Sequence, residues 1–274
     1  MSDDSATEIL RYYSEADEAF RLCTGWFQLE QARTRELILR HIPPAPAKVL
    51  DVGGGAGAYA CWLASRGYEV HLIDPVPRHI EQARAASEKQ PQHPLASAVV
   101  GDARQLEHAS QSADAVLLLG PMYHLTERTD RLAALRESHR VLRSGGRLWA
   151  AAISRFASFL DSLSGGFFGQ PEFAPILERD LSDGQHRNPT DNLTYFTDAF
   201  LHLPEEFAAE VSEGGFESIE LFAIEGPGWL ARDFDRLWDS PEHRERLLGL
   251  LRKVEREPTL IGASSHILAL GRKR

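Results

Sequence analysis

The chain reads as an α/β protein built on a doubly wound, mostly parallel seven-stranded sheet. Three observations predict this. Short apolar runs alternate with helical patterns from residue 49 to residue 153. The first run, Lys48-Val49-Leu50-Asp51-Val52, passes through Gly53-Gly54-Gly55 into the helix-forming stretch Ala58 to Ser65. A later run, Asp114 to Leu119, is almost wholly apolar, as a strand buried on both faces must be.

In order, residues 6 to 42 have helical patterning: Glu8 to Tyr13, Glu15 to Leu22 and Phe27 to Ile42. Pro43-Pro44-Ala45-Pro46 stops the third helix and acts as a rigid connector. Residues 1–45 are therefore expected to form a helical lid before an α/β domain over 46–274. After the glycine turn, Gly67 closes one helix and Glu69 to Asp74 forms the second strand. Ala96 to Val100 is the third strand, and the run Asp114 to Leu119 the fourth. Arg128 to Arg143 is an amphipathic helix, ended by Ser144-Gly145-Gly146 before a fifth strand, Arg147 to Ile153. The stretch 155–203 is too long for a bare loop and rich in Phe, so a helical cap insertion is expected there. Pro204 to Ser212 is a helix. Phe216 to Glu225 is the sixth strand, Phe234 to Glu257 a second helical insertion broken at Ser240-Pro241, and Ser265 to Gly271 the last strand.

Composition narrows the function classes. With 274 residues, 43% hydrophobic and 26% charged, the chain can bury a large core. Thirty Lys and Arg against 40 Asp and Glu leave a formal charge of −10, which disfavours a nucleic-acid partner. No apolar run is long enough to span a membrane, and the start Met1-Ser2-Asp3-Asp4 is not a signal peptide, so a cytoplasmic protein is expected. Cys23 and Cys61 have no metal-ligand or redox spacing and read as core or near-core residues; no metal site is expected. Oligomeric state is not legible.

The chemistry gathers at the ends of the predicted strands. Three consecutive glycines fit a turn where backbone approaches a ligand closely. Asp74 follows Asp51 by 23 residues, one βαβ unit, and stands where a carboxylate can accept both hydroxyls of a ribose. It could equally brace the start of the helix that follows Pro75. Gly53, Gly55 and Ala58 match a dinucleotide fingerprint, which keeps an NAD-dependent oxidoreductase open. The fourth strand ends at Leu119-Gly120 and leads into Pro121-Met122-Tyr123-His124. Tyr123 and His124 are candidates for a general base or an orienter, or for pocket walls. Tyr12, Tyr13 and Arg21 in the lid, and His186 and Arg187 in the cap, are the candidate substrate contacts.

The pattern Asp51-x-Gly53-x-Gly55-x-Gly57 resembles the first motif of the class I, Rossmann-like S-adenosylmethionine-dependent methyltransferases, type 11-like. Val141-Leu142-Arg143-Ser144-Gly145-Gly146-Arg147 is similar to a helix–turn–strand segment of the same superfamily, with Ser144 where Pro is often found. The resemblance covers about residues 45–155. It implies S-adenosylmethionine as cofactor, bound by Asp51, Gly53, Gly55, Asp74, Asp102, Ala103 and Leu119. In that family Asp102 resembles the acceptor from the adenine amino group, the Ala103 N–H serves a ring nitrogen, and the Leu119 backbone lies near the methionine part. A carboxylate at the first strand end suits a cationic ammonium and sulfonium better than a pyrophosphate. The implied activity is methyl transfer to a small-molecule acceptor, most simply at oxygen or nitrogen. A non-catalytic module that only binds S-adenosylmethionine is the alternative.

Overall fold

The computed structural model describes residues 12–13, 21–190 and 192–274. Most of the expected lid helices Glu8 to Tyr13 and Glu15 to Leu22 therefore lies outside the described residues. Tyr12, Tyr13, Arg21 and Leu22 lie within them.

Period-two side-chain alternation explains how the core is divided. In β1 (Lys48–Val52), Leu50 and Val52 face one side of the sheet and Val49 the other. In β4 (Ala113–Leu118), Val116 and Leu118 join the first face, while Ala115 and Leu117 join the second. Each face needs a helical layer. The second is covered by α1 (Phe27–His41), α2 (Ala58–Ala64) and α3 (Pro77–Glu88), through Leu37, Ile38, Leu63 and Ile80. The short α4 (Pro121–His124) follows β4. The first face is covered by α5 (Arg128–Val141) together with the helix at Pro204–Glu213, through Leu132, Leu135, Phe207 and Val211.

β2 (Glu69–Asp74) and β3 (Ser97–Val100) extend the sheet on one side of β1, and β5 (Leu142–Ser154) follows β4 on the other. After β5 come α6 (Ala157–Gly165), α7 (Ala174–Asp183), and a small hairpin of β6 (Gln185–His186) and β7 (Ala199–His202). The cap is thus not only helical, because its second half returns to the sheet: β7 pairs parallel with the end of β5 at Ile153↔Leu201 and Ser154↔His202. The chain continues through α8 (Pro204–Glu213), β8 (Glu217–Ala223), α9 (Phe234–Asp239), α10 (Pro241–Val254), α11 (Pro258–Ile261) and β9 (His266–Arg272). β9 runs antiparallel between β5 and β8. The strands form one nine-stranded sheet: β3-β2-β1-β4-β5 are parallel, β9 and then β8 continue it antiparallel beyond β5, and β7 with β6 joins at the end of β5.

Two local expectations need correction. β5 begins at Leu142 rather than Arg147, because Leu142 already pairs with Ala113 before the register shifts. Cys23 is exposed rather than near the core, while Cys61 is half-buried. Among the described residues, no helix is long and apolar enough to cross a membrane.

Candidate functional site

In a parallel sheet all strands deliver their carboxyl ends to one edge, and the turns that follow leave a crevice there. A cavity of about 610 Å³ occupies that edge. It is lined by Asp51, Gly53, Gly55, Asp74, Asp102, Ala103 and Leu119, and also by Tyr12, Tyr13, Arg21, Tyr123 and His124. His186 and Arg187 do not line it.

The glycine turn is shaped by close approach. Gly53 has φ +70°, and a Cβ there would meet Pro121 Cδ at 2.6 Å. A Cβ on Gly54 would stand 2.8 Å from the Asp51 carboxylate. The turn therefore sits directly on Asp51, which is 1% exposed and whose Oδ2 is buried with no hydrogen-bond partner among the described residues. Burial, reinforced by repulsion from Asp74, pushes the Asp51 carboxyl up to about 7. A buried acid in that condition favours a cation nearby.

Asp74 is held from three directions. Its Oδ2 accepts from the Gly55 N–H at 2.8 Å; its Oδ1 accepts from the Val76 N–H at 2.9 Å and lies 2.9 Å from His79 Nδ1. It braces both the glycine turn and the entry to α3 while lining the cavity. Asp102 stands at the next strand end. Partial burial would raise its pKa, but Arg104 grips both its oxygens and brings the net shift below the ordinary carboxylate value.

Another stretch of the cavity lining is aromatic. Tyr13 Oη lies 2.6 Å from His124 Nε2, and the two rings are edge-on with centroids 5.1 Å apart. Tyr12 packs on Phe196 at 5.5 Å, and Tyr123 on His124 at 4.6 Å. Burial pushes the His124 imidazole down to about 3, so it is neutral at physiological pH. Such a weak base suits a ring that orients Tyr13 better than one that takes up a proton. Arg21 donates to Glu30 through both terminal nitrogens, at 2.7 and 3.1 Å.

In the cap, His186 is buried between the Asp180 carboxylate, 2.8 Å from Nδ1, and the Tyr195 carbonyl, 2.7 Å from Nε2. Arg187 is bound along its own hairpin, donating to the carbonyls of His186 and Ala199. Both groups hold the cap together instead of reaching the cavity. Cavity residues that the sequence did not single out are Trp26, Phe27, Glu30, His79, Phe196, Trp229 and His266. One signal was available: His266 opens the last strand, and an antiparallel strand begins at the edge where its parallel neighbours end.

Residues 50–150 match the methyltransferase-domain family. That match covers little more than a third of the chain, and over that stretch the chain is similar to the class I, type 11-like methyltransferases. Over 107 residues the chain is 36% identical to an uncharacterized methyltransferase of Mycobacterium tuberculosis, a span of 39% of this chain and 40% of that one. The chain thus spans about two fifths of the length of that curated relative. A ubiquinone/menaquinone biosynthesis C-methyltransferase of Rubrivivax gelatinosus is 28% identical over 195 residues, 70% of this chain and 72% of the relative. The fold is similar to that of a solved S-adenosylmethionine-dependent methyltransferase of Methanosarcina mazei, with a TM-score of 0.56, 18% identity, and coverage of 86% and 96% of the two chains. The cofactor of this family is S-adenosylmethionine. The residues present fit it: a buried carboxylate oxygen with no partner among the described residues under a glycine turn, two more strand-end carboxylates, and a cavity large enough for a nucleoside donor with room for an acceptor.

Proposed function

We propose that this chain transfers the methyl group of S-adenosylmethionine to a small-molecule acceptor, at oxygen or nitrogen. The observation that carries this reading is the cavity itself. One part is lined by the strand-end acids Asp51, Asp74 and Asp102, and another by Trp26, Phe27 and Trp229. The acids favour a cationic nucleoside, and the aromatic wall favours an apolar or aryl acceptor. Residues 1–45 act as the lid of the domain 46–274.

Asp51, Gly53, Gly55, Asp74, Asp102, Ala103 and Leu119 would hold the cofactor, which supplies an activated methyl group and a neutral leaving sulfur. The work left to the chain is alignment and exclusion of water. Tyr12, Tyr13 and Arg21 close the cavity from the lid side. His124 and Tyr123 form the aromatic wall beside the acceptor, with His124 orienting Tyr13 through their hydrogen bond. His186 and Arg187 support the cap at a distance. The aromatic lining and the formal charge of −10 favour a small molecule over nucleic acid as acceptor. The names of several relatives, among them a ubiquinone biosynthesis O-methyltransferase of Xylella fastidiosa, support a small acceptor as well.

Calorimetric titration with S-adenosylmethionine, S-adenosylhomocysteine and NAD tests the cofactor, and a metabolite screen with methyl-labelled S-adenosylmethionine tests the transfer. Binding of NAD alone would refute the proposal. Binding of S-adenosylmethionine with no transfer to any acceptor would favour a binding module.

A further inference from the structure

The cavity wall near Trp229 carries titratable groups for which holding the cofactor gives no role. His266 is the first residue of β9 and pairs with Ile153 across the antiparallel ladder. Because β9 runs against β5, its first residue reaches the edge where the parallel strands end, and His266 lines the cavity.

Its ring is fixed by Glu225. Nδ1 lies 2.7 Å from Glu225 Oε1, and the His266 backbone N–H donates to Glu225 Oε2 at 2.9 Å. The Ser264 hydroxyl donates to the same Oε2 at 2.7 Å and accepts from the N–H groups of Glu225 and Gly226 at 3.0 Å. Glu225 is fully buried, so this carboxylate has one purpose that the geometry displays: it sets the tautomer and plane of the imidazole. Nε2 makes no hydrogen bond among the described residues. It is the ring atom left for a ligand.

The surroundings suit a proton carrier. Burial disfavours the imidazolium, but Glu30 from α1 and Glu225 outweigh it, and Arg21 opposes them only in part; the net shift is upward from 6.5. Tyr123 from α4 packs on the ring with centroids 6.3 Å apart. Glu30, Glu225 and His266 also bring possible metal-ligand atoms within 4.8 Å of one another. Yet both Glu225 oxygens are held by His266 and Ser264, and both Glu30 oxygens by Arg21. A proton fits this set better than a cation.

We propose that His266, oriented by Glu225, is the base that takes the proton of the methyl acceptor. The inference rests on the methyltransferase reading of the cavity. From a hydroxyl, the O–H proton moves to Nε2 as an oxygen lone pair forms the new bond to the methyl carbon; an ammonium first gives a proton to Nε2, and the nitrogen lone pair so freed then forms that bond. In both cases the broken C–S bond leaves its electron pair on sulfur. Glu225 and Glu30 then face an imidazolium, which later releases its proton to solvent. A base of this kind serves an acceptor that still carries its proton near neutral pH, a hydroxyl or an ammonium. Carboxylates arrive already ionised and gain nothing from it. With Trp26, Phe27 and Trp229 also lining the cavity, the substrate class is an aryl or otherwise apolar alcohol or amine.

Two measurements on the full chain test this. In the first, the histidine Cε1–H resonances are followed by NMR against pH, with His266 assigned by its loss in His266→Gln. Its midpoint is expected above 6.5, falling by about one unit in Glu225→Gln. In the second, turnover is measured with S-adenosylmethionine and a panel of phenols, alcohols and amines. His266→Gln is expected to lower kcat by about 10²-fold and to remove the acidic limb of the pH–rate profile, with cofactor affinity within about twofold of the parent. Glu225→Gln removes a buried charge and can fail to fold, so His266→Gln carries the test alone if it does. A midpoint at or below 6.5, an unchanged pH–rate profile in His266→Gln, or turnover abolished by EDTA and restored by Mg²⁺ would each overturn the proposal. A parent chain that turns over while His266→Gln equals it overturns the dyad alone. A parent chain that does not bind S-adenosylmethionine overturns the methyltransferase reading beneath it, and the dyad with it.

Discussion

The cavity has two parts built by different means. The part proposed to hold the cofactor comes from strand tips and turns close together in sequence, from Asp51 to Leu119, and depends on backbone. Gly53 and Gly54 are pressed against Pro121 and Asp51 so tightly that a methyl group does not fit. The part proposed for the acceptor draws Trp26 and Glu30 from around α1, Ile153 from β5, and Trp229 and His266 from the last sixth of the chain. It depends on side chains held by other side chains, as Glu30 is by Arg21 and His266 by Glu225. A donor site fixed by backbone tolerates little change, whereas a wall of side chains can be rebuilt for a new acceptor while the sheet stays the same.

The largest expected effect falls on the backbone-built part. Gly53→Ala places a Cβ on Pro121 in a left-handed conformation and should destabilise the fold by about 2–3 kcal/mol, read by urea unfolding. An unchanged midpoint would mean that the turn relaxes and that the contrast with the acceptor wall is weaker than stated.

Asp74→Asn should weaken S-adenosylmethionine binding by about 1–3 kcal/mol in calorimetry through loss of a charged acceptor. Asp74→Ala should also lower the melting temperature, because Gly55, Val76 and His79 lose their common partner. Equal cofactor affinity in both variants and the parent would confine Asp74 to bracing the turn.

Asp51 gives a pH signature. Its folded pKa is raised from 3.8 to about 7, so its contribution to the stability of the unliganded fold is full below 3.8 and lost as pH rises through 7. A cationic ligand favours the ionised form, so cofactor binding should release a proton and weaken about tenfold per pH unit below 7. Titrations in buffers of different ionisation enthalpy measure that proton directly. No release at pH 6 would remove Asp51 from the electrostatics of the donor part.

The acceptor part should respond in KM. Trp229→Ala is expected to raise KM for the acceptor several-fold while cofactor affinity stays within about twofold, since Trp229 belongs to the aromatic wall and not to the strand tips. The smallest effect is expected for Arg187→Ala, within about 0.5 kcal/mol on cofactor binding, because Arg187 is bound along its own hairpin outside the cavity.

The parallel core was legible because its signals are local. Period-two runs, a glycine turn and a C′ glycine each report on a few neighbouring residues, and they predicted a mostly parallel sheet that opens with five parallel strands. Tyr12, Tyr13 and Arg21, expected as substrate contacts from their place before the first strand, line the cavity. The cap was read less well. Its aromatic content predicted burial but not the return to β5 that makes β6 and β7, since a two-residue strand leaves no periodicity. His186 and Arg187 looked available because their partners, Asp180, Tyr195 and Ala199, cannot be paired with them by inspection of the chain.

By itself the sequence determined the strand–turn–helix order and the acids at adjacent strand tips, on which the proposed donor site rests, because backbone conformation and alternation are set within a few residues. Only the tertiary structure decided which distant side chains complete the cavity. It brought Glu225 to His266 and Arg21 to Glu30, gave Asp74 three partners, and left Asp51 Oδ2 with none among the described residues. Those outcomes depend on burial and on contacts between residues far apart in the chain, and solvent exclusion is a property of the packed molecule that no stretch of sequence carries alone.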